Sequence, residues 1–408
     1  MTQVMSGIRI LEVAEHTFVP LASAILADWG AEVIKVEHIG RGDATRSLGA
    51  TAGVETGGGD INVLLEHANR GKRSIGLDLT SADGRELLYR LAATCDVFLT
   101  NKLPAVRAKL EIDVEHIRAH QPTIIYAQGT GYGSKGVDVD LGGYDALAYW
   151  SRAGVAASVK APEIDYLPRQ SAPAFGDSVG AMYIAGGISA ALLHRERTGE
   201  APLVDVSLLA AGMWMMSAGI ATAQRTGIPH VPRPDDRDAP RNPLIGNHRT
   251  ADGRFISFCM LQAFEYWPAF CAAIDRPAWV DDPRFATREL LFSNGWVAAD
   301  LIDDVVASET LETWTKRLQG LKGQWSPVQD TVTIADDPMV IANDYLMETI
   351  SANGESFSLV TAPVQFDGRA NQPGRAPGLG EHGTSILAGD LGLDDQSIAD
   401  LRVRGVVG

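Results

Sequence analysis

Hydrophobic positions in the first half of the chain fall into short strand-like runs separated by segments with helical spacing. Residues 8–13 and 31–37 are rich in β-formers, and residues 20–29 between them have helical character. This order indicates a parallel sheet with right-handed crossovers. It recurs in predicted strands at 74–79, 96–100 and 123–128 and a predicted helix at 84–93. The pattern predicts an α/β, doubly wound, Rossmann-like domain that binds ligands beyond the carboxyl ends of its strands.

The hydrophobic pattern changes after residue 224. Residues 225–245 are rich in proline and charge and have no apolar period, so we predict a linker there. A predicted hairpin at 249–258 and mostly helical sequence at 261–320 follow it. A chain of 408 residues is long enough for two domains. We therefore predict a discontinuous large domain of 1–224 and 330–408, and a smaller α+β domain with its return linker at 246–329.

Composition narrows the class of protein. The net charge of −16 argues against a general nucleic-acid surface, which would need a basic excess. Cys95, Cys259 and Cys271 have no metal-ligand spacing and suit reduced thiols, so we expect a cytoplasmic protein. Two apolar segments, 178–193 and 208–224, are shorter than the roughly 20 residues of a spanning helix. We expect them to be core or dimer-interface helices, and we expect no membrane partner.

Asp177 is the residue most suggestive of chemistry. It stands in Phe175-Gly176-Asp177-Ser178, directly before the apolar segment that begins at Val179. Free N–H groups of a first helical turn favour an ionised carboxylate and can hold an oxyanion beside it. Asp is also a preferred N-cap residue, and capping is the simpler interpretation of the local sequence alone.

Two glycine motifs are candidates for ligand-binding turns. Residues 378–383 match G-x-G-x-x-G, but a loop precedes them where the dinucleotide fingerprint needs a strand. The first strand–helix turn, 14–19, contains no glycine, so we expect no NAD, and no metal-type Cys/His cluster is present in the sequence. The turn at 129–133 follows a predicted strand and either approaches a ligand or only closes tightly.

Basic residues flank two of the predicted strands. Arg70, Lys72 and Arg73 precede the strand at 74–79, and Lys102, Arg107 and Lys109 follow the strand at 96–100. Such clusters are usually solvated faces. In an acidic chain, clusters at strand ends also suit a phosphorylated ligand.

Taken together, these segments resemble the family III CoA-transferases, the group that contains formyl-CoA transferase and carnitine CoA-transferase. The resemblance covers essentially the whole chain. The matching stretches are 7–11, 26–37, 42–46, 69–79, 143–146, 176–177, 195–199, 204–208 and 380–382.

The resemblance implies that Asp177 is a nucleophile that moves CoA from an acyl-CoA to a carboxylic acid. An acyl-aspartyl anhydride and an aspartyl-CoA thioester would be the intermediates. It also implies coenzyme A as substrate without metal or NAD, and an interlocked homodimer. Lys102 and Lys109 would contact its phosphates, and Leu77 and Leu103 its adenine. The family's CoA-contact positions fall on Thr17, Phe18, His38, Leu77, Thr80, Asn101, Lys102, Leu103, Lys109, Thr130 and Tyr132.

Three departures from the family pattern bear on the substrate. His38 stands where an arginine is usual, and Thr17-Phe18-Val19 replaces the commoner small residues before Pro20. Residues 242–248 stand where formyl-CoA transferase has a glycine-rich loop, which argues against a formyl and oxalyl substrate pair.

Two other functions remain open at this stage. The α-methylacyl-CoA racemases share the fold and exchange an α-proton with a His/Asp pair. Tyr144 stands where the racemase pattern has histidine, and tyrosine is a poor base near neutral pH. A CoA-binding protein without catalysis is the second alternative.

Overall fold

The computed structural model describes residues 2–49 and 61–408, which divide into two compact units. The first unit comprises Met1–Pro232 and Met339–Gly408, and the second comprises Arg233–Pro338. In the sequence, the second unit is therefore inserted between the two segments that form the first unit.

A six-stranded parallel sheet forms the centre of the first unit. Its order is β3-β2-β1-β4-β5-β6, with Ile10 of β1 opposite Val33 of β2 and Val97 of β4. This is the strand order of doubly wound dinucleotide-binding folds, so the α/β class predicted from the sequence is confirmed. The strands are β1 Arg9–Val13, β2 Glu32–Glu37, β3 Arg73–Gly76, β4 Val97–Thr100, β5 Ile125–Thr130 and β6 Leu203–Ser207.

The two faces of the sheet are covered by separate hydrophobic cores. Successive strand residues point to opposite faces, so Ile10 lies in one core and Leu11 in the other. Helices α1 (Phe18–Asp28) and α7 (Phe175–Thr198) pack in the core that contains Ile10. Helix α3 (Ala82–Ala92) and the C-terminal helix pack in the other. Because a core covers each face of the sheet, the central strands are buried on both faces.

The remaining helices of the first unit are mostly short. Residues 208–224 were expected to form one helix, but the chain breaks at Met216 into two, so that expectation is wrong. The helices not yet named are α2 Val63–Asn69, α4 Pro104–Leu110, α5 Val114–His120, α6 Val155–Ser158, α8 Leu208–Met215, α9 Ser217–Thr226, α14 Pro338–Ala342, α15 Gly383–Ser385 and α16 Asp395–Val403, with 3₁₀ or π turns at Ala44–Ser47, Ala146–Arg152 and Ile386–Asp390.

Helix α7 is longer than the sequence pattern predicts. It has 24 residues and is, by length and composition alone, apolar enough to cross a membrane. The argument that 178–193 is too short for a span therefore fails. Ala181, Ile184 and Ile188 of this helix are nevertheless buried against α1 and the sheet. The apolar character of α7 is accounted for by a core position in the first unit.

The C-terminal segment completes the first unit beside β3. Strands β10 (Leu346–Ile350) and β11 (Ser356–Val360) form an antiparallel hairpin. The backbone N–H of His382 then donates to Ser74 O at 2.9 Å, and Gly408 N–H donates to Gly76 O at 3.2 Å. The last residues of the chain are thus bonded to the edge strand of the sheet.

The second unit is an α+β structure with its own core. Strands β7 (Ile245–Arg249), β8 (Phe255–Cys259) and β9 (Trp325–Pro327) form an antiparallel sheet. Trp267 and Trp314 are buried against it. The surrounding helices are α10 Ala263–Ala273, α11 Arg288–Ser293, α12 Gly295–Val306 and α13 Leu311–Leu318, with 3₁₀ turns at Pro277–Val280 and Thr333–Asp336.

Candidate active site

The candidate site lies at the carboxyl ends of the central strands. The sheet order changes direction between β1 and β4, and such a switch point opens a crevice at the strand ends. Residues after β1, β4 and β5 meet there, together with the first turn of α7. This placement brings His16, Asn101, Thr130 and Asp177 to one cavity.

Residues around Asp177, and not Asp177 itself, determine where helix α7 begins. Ala174 is the N-cap residue with φ of +58°, and Asp177 is the third helical residue. The interpretation of Asp177 as a simple N-cap is therefore wrong. Gly176 lies so close to Tyr149 that a Cβ there would be 2.5 Å from the ring Cγ. Glycine at this position allows the ring to hold the first turn of the helix in place.

The carboxylate of Asp145 lies at the N-terminal end of α7. The sequence predicts that the free N–H groups of this end stabilise Asp177. The carboxylate of Asp145 accepts from the backbone N–H of Ala146 at 2.7 Å and of Gly176 at 3.2 Å. The Nε2 of Gln170 donates to it at 3.2 Å. Three donors on a buried carboxylate hold Asp145 in one position.

Asp177 has a strongly perturbed pKa. Burial and the neighbouring charge of Asp145 raise the pKa of Asp177 well above the usual value for an aspartate. This is the opposite of the direction expected from the helix terminus alone. The ionised carboxylate is therefore poorly stabilised, which makes it more basic and favours reactions that remove its charge.

Three adjoining cavities surround these residues. The outer cavity, of about 200 Å³, is lined by Leu77 and Lys102 among others. The central cavity, of about 330 Å³, shares Lys102 with it and reaches Asp177. The inner cavity, of about 310 Å³, shares His16, Tyr144 and Asp177 with the central one. Asp177 therefore stands where the central and inner cavities meet.

Most residues proposed as CoA contacts line these cavities, and two do not. Lys109 is exposed on α4, and Tyr132 lies beneath the guanidinium of Arg152 at 4.7 Å; neither lines any of the three. Their assignment as CoA contacts remains a prediction, as it does for the others. Those that line a cavity are His38, Leu77, Thr80 and Lys102 in the outer one, Phe18, Asn101, Lys102, Leu103 and Thr130 in the central one, and Thr17 in the inner one.

Arg70 and Lys72, which precede β3, stabilise the fold through buried ion pairs. Arg70, 1% exposed, bonds Asp28 at 2.7 Å, and the buried Nζ of Lys72 bonds Glu12 at 2.8 Å. The expectation that these two cations face a phosphorylated ligand is therefore wrong. Their carboxylate partners are distant in sequence, which hides the pairing from a sequence pattern.

Cations that remain at the site lie around Glu15 at the outer cavity. Arg41 bonds the carboxylate of Glu15 at 2.8 Å, and Lys102 bonds the same carboxylate. All three line the outer cavity. Arg41, Lys102 and Glu15 together carry one net positive charge, which suits a phosphate group, although Asp78 lines the same cavity.

His16 is a functional candidate that sequence reasoning missed. Its φ of +69° is unusual for a residue other than glycine, and its N–H donates to Asp43 Oδ1 at 3.0 Å. Its ring lies edge-on to Tyr144, with centroids 5.3 Å apart, and lines two cavities beside Asp177. Strained backbone is often retained at functional sites. The sequence signal that could have identified His16 as a site residue is its position in the turn that follows β1.

The profile of CoA-transferase family III matches residues 5–383, and the chain belongs to this family. It is 30% identical over 404 residues to (R)-2-hydroxy-4-methylpentanoate CoA-transferase of Clostridioides difficile, covering 99% of each chain. It is 31% identical over 396 residues to succinate–glutarate CoA-transferase of Agrobacterium fabrum (strain C58 / ATCC 33970), covering 94% and 95%. The crystal structure of a CAIB/BAIF family protein from Brucella suis superposes with a TM-score of 0.80 at 25% identity, covering 96% and 100%.

Proposed function

We propose that this CoA-transferase moves CoA between an acyl-CoA and a carboxylic acid through covalent intermediates on Asp177. The observation that carries this proposal is the position of Asp177, at the junction of two cavities and in the first turn of α7. One cavity can hold the thioester end of CoA while the other holds the acyl group. The reacting carbonyl then lies beside the carboxylate.

The proposed reaction begins with attack by an Asp177 oxygen on the thioester carbonyl. The C–S bond breaks, and a mixed anhydride and CoA thiolate result. The thiolate attacks the Asp177 carbonyl and releases the donor acid, which leaves an aspartyl-CoA thioester. The acceptor carboxylate attacks this thioester to form a second anhydride, and the thiolate then takes the acceptor acyl group. No oxidant, reductant or water is consumed, and Asp177 is regenerated.

The raised pKa of Asp177 supports this role. Acylation removes the charge of Asp177 and with it the repulsion from Asp145. The surroundings of Asp177 thus stabilise an uncharged side chain better than the ionised carboxylate. Such ground-state destabilisation lowers the barrier to nucleophilic attack.

The three cavities suggest how CoA is bound. In the proposal the adenine packs on Leu77, Val106 and Leu110 in the outer cavity and not on Leu103, which lines the central one. The phosphates lie near Arg41 and Lys102. The pantetheine arm follows the central cavity toward Asp177. Lys102 lines both cavities, so it would contact CoA where the molecule passes from the outer cavity into the central one.

Trapping of the intermediates tests this proposal. The protein is incubated with an acyl-CoA and then with hydroxylamine or borohydride, and the peptide that contains Asp177 is examined by mass spectrometry. We expect a hydroxamate or a reduced side chain at Asp177, and none in Asp177→Asn. A protein that transfers CoA without any adduct at Asp177 contradicts the mechanism.

Racemisation remains a second candidate because His16 and Asp177 line the same two cavities. A His/Asp pair can supply the acid and the base of a two-base proton exchange. Exchange of the C2 proton of a 2-methylacyl-CoA for deuterium, without an acceptor acid, would support it. Exchange that is absent while CoA transfer proceeds excludes racemisation as the activity.

We further propose that the protein is a homodimer, interlocked as the family resemblance implies, and that it works in the cytoplasm without a membrane. Helix α8 exposes Met213, Trp214 and Met215, with Trp214 69% exposed. Large exposed apolar side chains of this kind are typical of an interface. Light scattering measures the mass in solution. Mixing differently tagged dimers tests interlocking, since rapid subunit exchange would contradict it.

A further inference from the structure

Apolar residues make up part of the lining of the inner cavity. They are Leu48, Leu64, Pro173 and Ala174, and Tyr144 lines both this cavity and the central one. This is the space that the proposed function leaves for the acyl group. Its walls offer an uncharged chain favourable apolar contact.

The only acidic residues in the lining of the inner cavity, among the residues that the structure describes, are Asp145 and Asp177. No arginine or lysine is among the described lining residues. A second carboxylate on the substrate would therefore meet negative charge without a matching cation.

Two nearby arginines are already engaged elsewhere. Arg46 follows Thr45 of the cavity wall, but its guanidinium donates to Glu37 at 2.7 and 2.8 Å and to Pro377 O at 3.0 Å. Arg41 bonds Glu15 at the outer cavity. Breaking the pair of Arg46 with Glu37 to reach the substrate would leave the buried carboxylate of Glu37 uncompensated, which is costly.

From this charge pattern we propose that the enzyme acts on monocarboxylic acids whose remaining structure is uncharged and largely apolar, and that it discriminates against dicarboxylic acids. The inference rests on the proposed function, because it takes the inner cavity as the acyl site. It follows from the apolar walls, the carboxylate of Asp145 and the engaged cations. Dicarboxylates such as glutarate would have to place their distal charge in this cavity.

Degenerate exchange between an acyl-CoA and its own labelled acid tests the preference without a choice of second substrate. The pairs are 5-methylhexanoyl-CoA with ¹³C-labelled 5-methylhexanoate, and glutaryl-CoA with ¹³C-labelled glutarate. The two acids have the same number of heavy atoms, and an isopropyl group replaces the distal carboxylate. The monoamide of glutaric acid separates the effect of charge from that of polarity.

We expect kcat/KM to be at least about 100-fold higher for the 5-methylhexanoyl pair than for the glutaryl pair, because an unpaired charge at a buried site typically costs that much. The monoamide should fall between them. Equal or faster exchange with the glutaryl pair overturns the inference and leaves CoA transfer on Asp177 standing. Absence of exchange with all three pairs, and of any adduct on Asp177, overturns both.

A gain-of-function variant tests the charge argument directly. Leu64→Arg places a guanidinium in the wall of the inner cavity, and Leu64→Met is the matched control without charge. We expect Leu64→Arg to shift the ratio of the two kcat/KM values toward glutaryl by about tenfold or more. Leu64→Met should leave the ratio unchanged. Because the readout is a ratio within one protein, a partial loss of folded enzyme does not affect it, and an unshifted ratio in Leu64→Arg contradicts the inference.

Discussion

Substitution of Gly176 by alanine should damage catalysis more than it damages the fold. The added Cβ would be 2.5 Å from Cγ and 2.7 Å from Cδ1 of Tyr149. Ordinary carbon contacts are about 3.5–4 Å, so the ring or the first turn of α7 must move by roughly 1 Å. Overpacking of this kind costs about 1–3 kcal/mol, and alanine returns about 0.5–1 kcal/mol in a helix. We expect the free energy of unfolding to fall by at most about 2.5 kcal/mol.

The same displacement should have a larger effect on turnover. Asp177 is the next residue, and its carboxylate depends on the position of this turn. A misplacement of about 1 Å at a reacting group typically costs about 100-fold in rate. Urea denaturation followed by circular dichroism measures the stability, and steady-state CoA transfer measures kcat.

Gly186 provides the matched control for this experiment. It lies on the exposed side of the same helix, and a Cβ there would meet nothing within 4 Å. Gly186→Ala should therefore stabilise the protein by about 0.5–1 kcal/mol and leave kcat unchanged. The reasoning is refuted if Gly176→Ala keeps full activity, or if both alanine variants lose activity equally.

Three further predictions concern the surroundings of Asp177. Asp145→Asn removes a charge that helps to raise the pKa of Asp177, so the acidic limb of the pH profile of kcat/KM should move to lower pH. A limb that stays in place contradicts the contribution of Asp145 to this pKa. Lys102→Met should weaken CoA binding in calorimetry by about tenfold and reduce its salt dependence, whereas Lys109→Met should have a smaller effect; the reverse order would place the phosphates at Lys109. His16→Gly relieves a strained φ and should maintain or raise the melting temperature while kcat falls, and an unchanged kcat would exclude a role for the ring.

Much of the fold could be predicted because strands buried on both faces leave continuous apolar runs. β1, β2, β4 and β5 fall within or close to their predicted ranges. β6 was missed, since Leu203–Ser207 is a short edge strand that contains Asp205 and is exposed at several positions. Edge strands carry a weaker hydrophobic signal because only part of their surface is buried. Helix α7 was underestimated because its last turns, from His194 onward, are polar and outside the apolar period.

The site was predictable in outline and not in its electrostatics. Asp177 stands directly before an apolar segment, which the sequence shows. The pKa of Asp177 is raised by burial and by Asp145, 32 residues away, which lies at the amide end of the helix only after folding. The pairing of Arg70 with Asp28 is likewise a tertiary contact. Local patterns identify candidate groups, whereas the charges that tune them come from distant parts of the chain.

Oxygen transfer from the acceptor acid to Asp177 is the measurement that tests the central claim most directly. If the acceptor carboxylate attacks an aspartyl-CoA thioester, one of its oxygens remains on Asp177 after each turnover. Turnover with an ¹⁸O-labelled acceptor acid should therefore label the peptide that contains Asp177, and no label should enter without acyl-CoA. CoA transfer that proceeds with no ¹⁸O at Asp177 would contradict covalent catalysis by this residue.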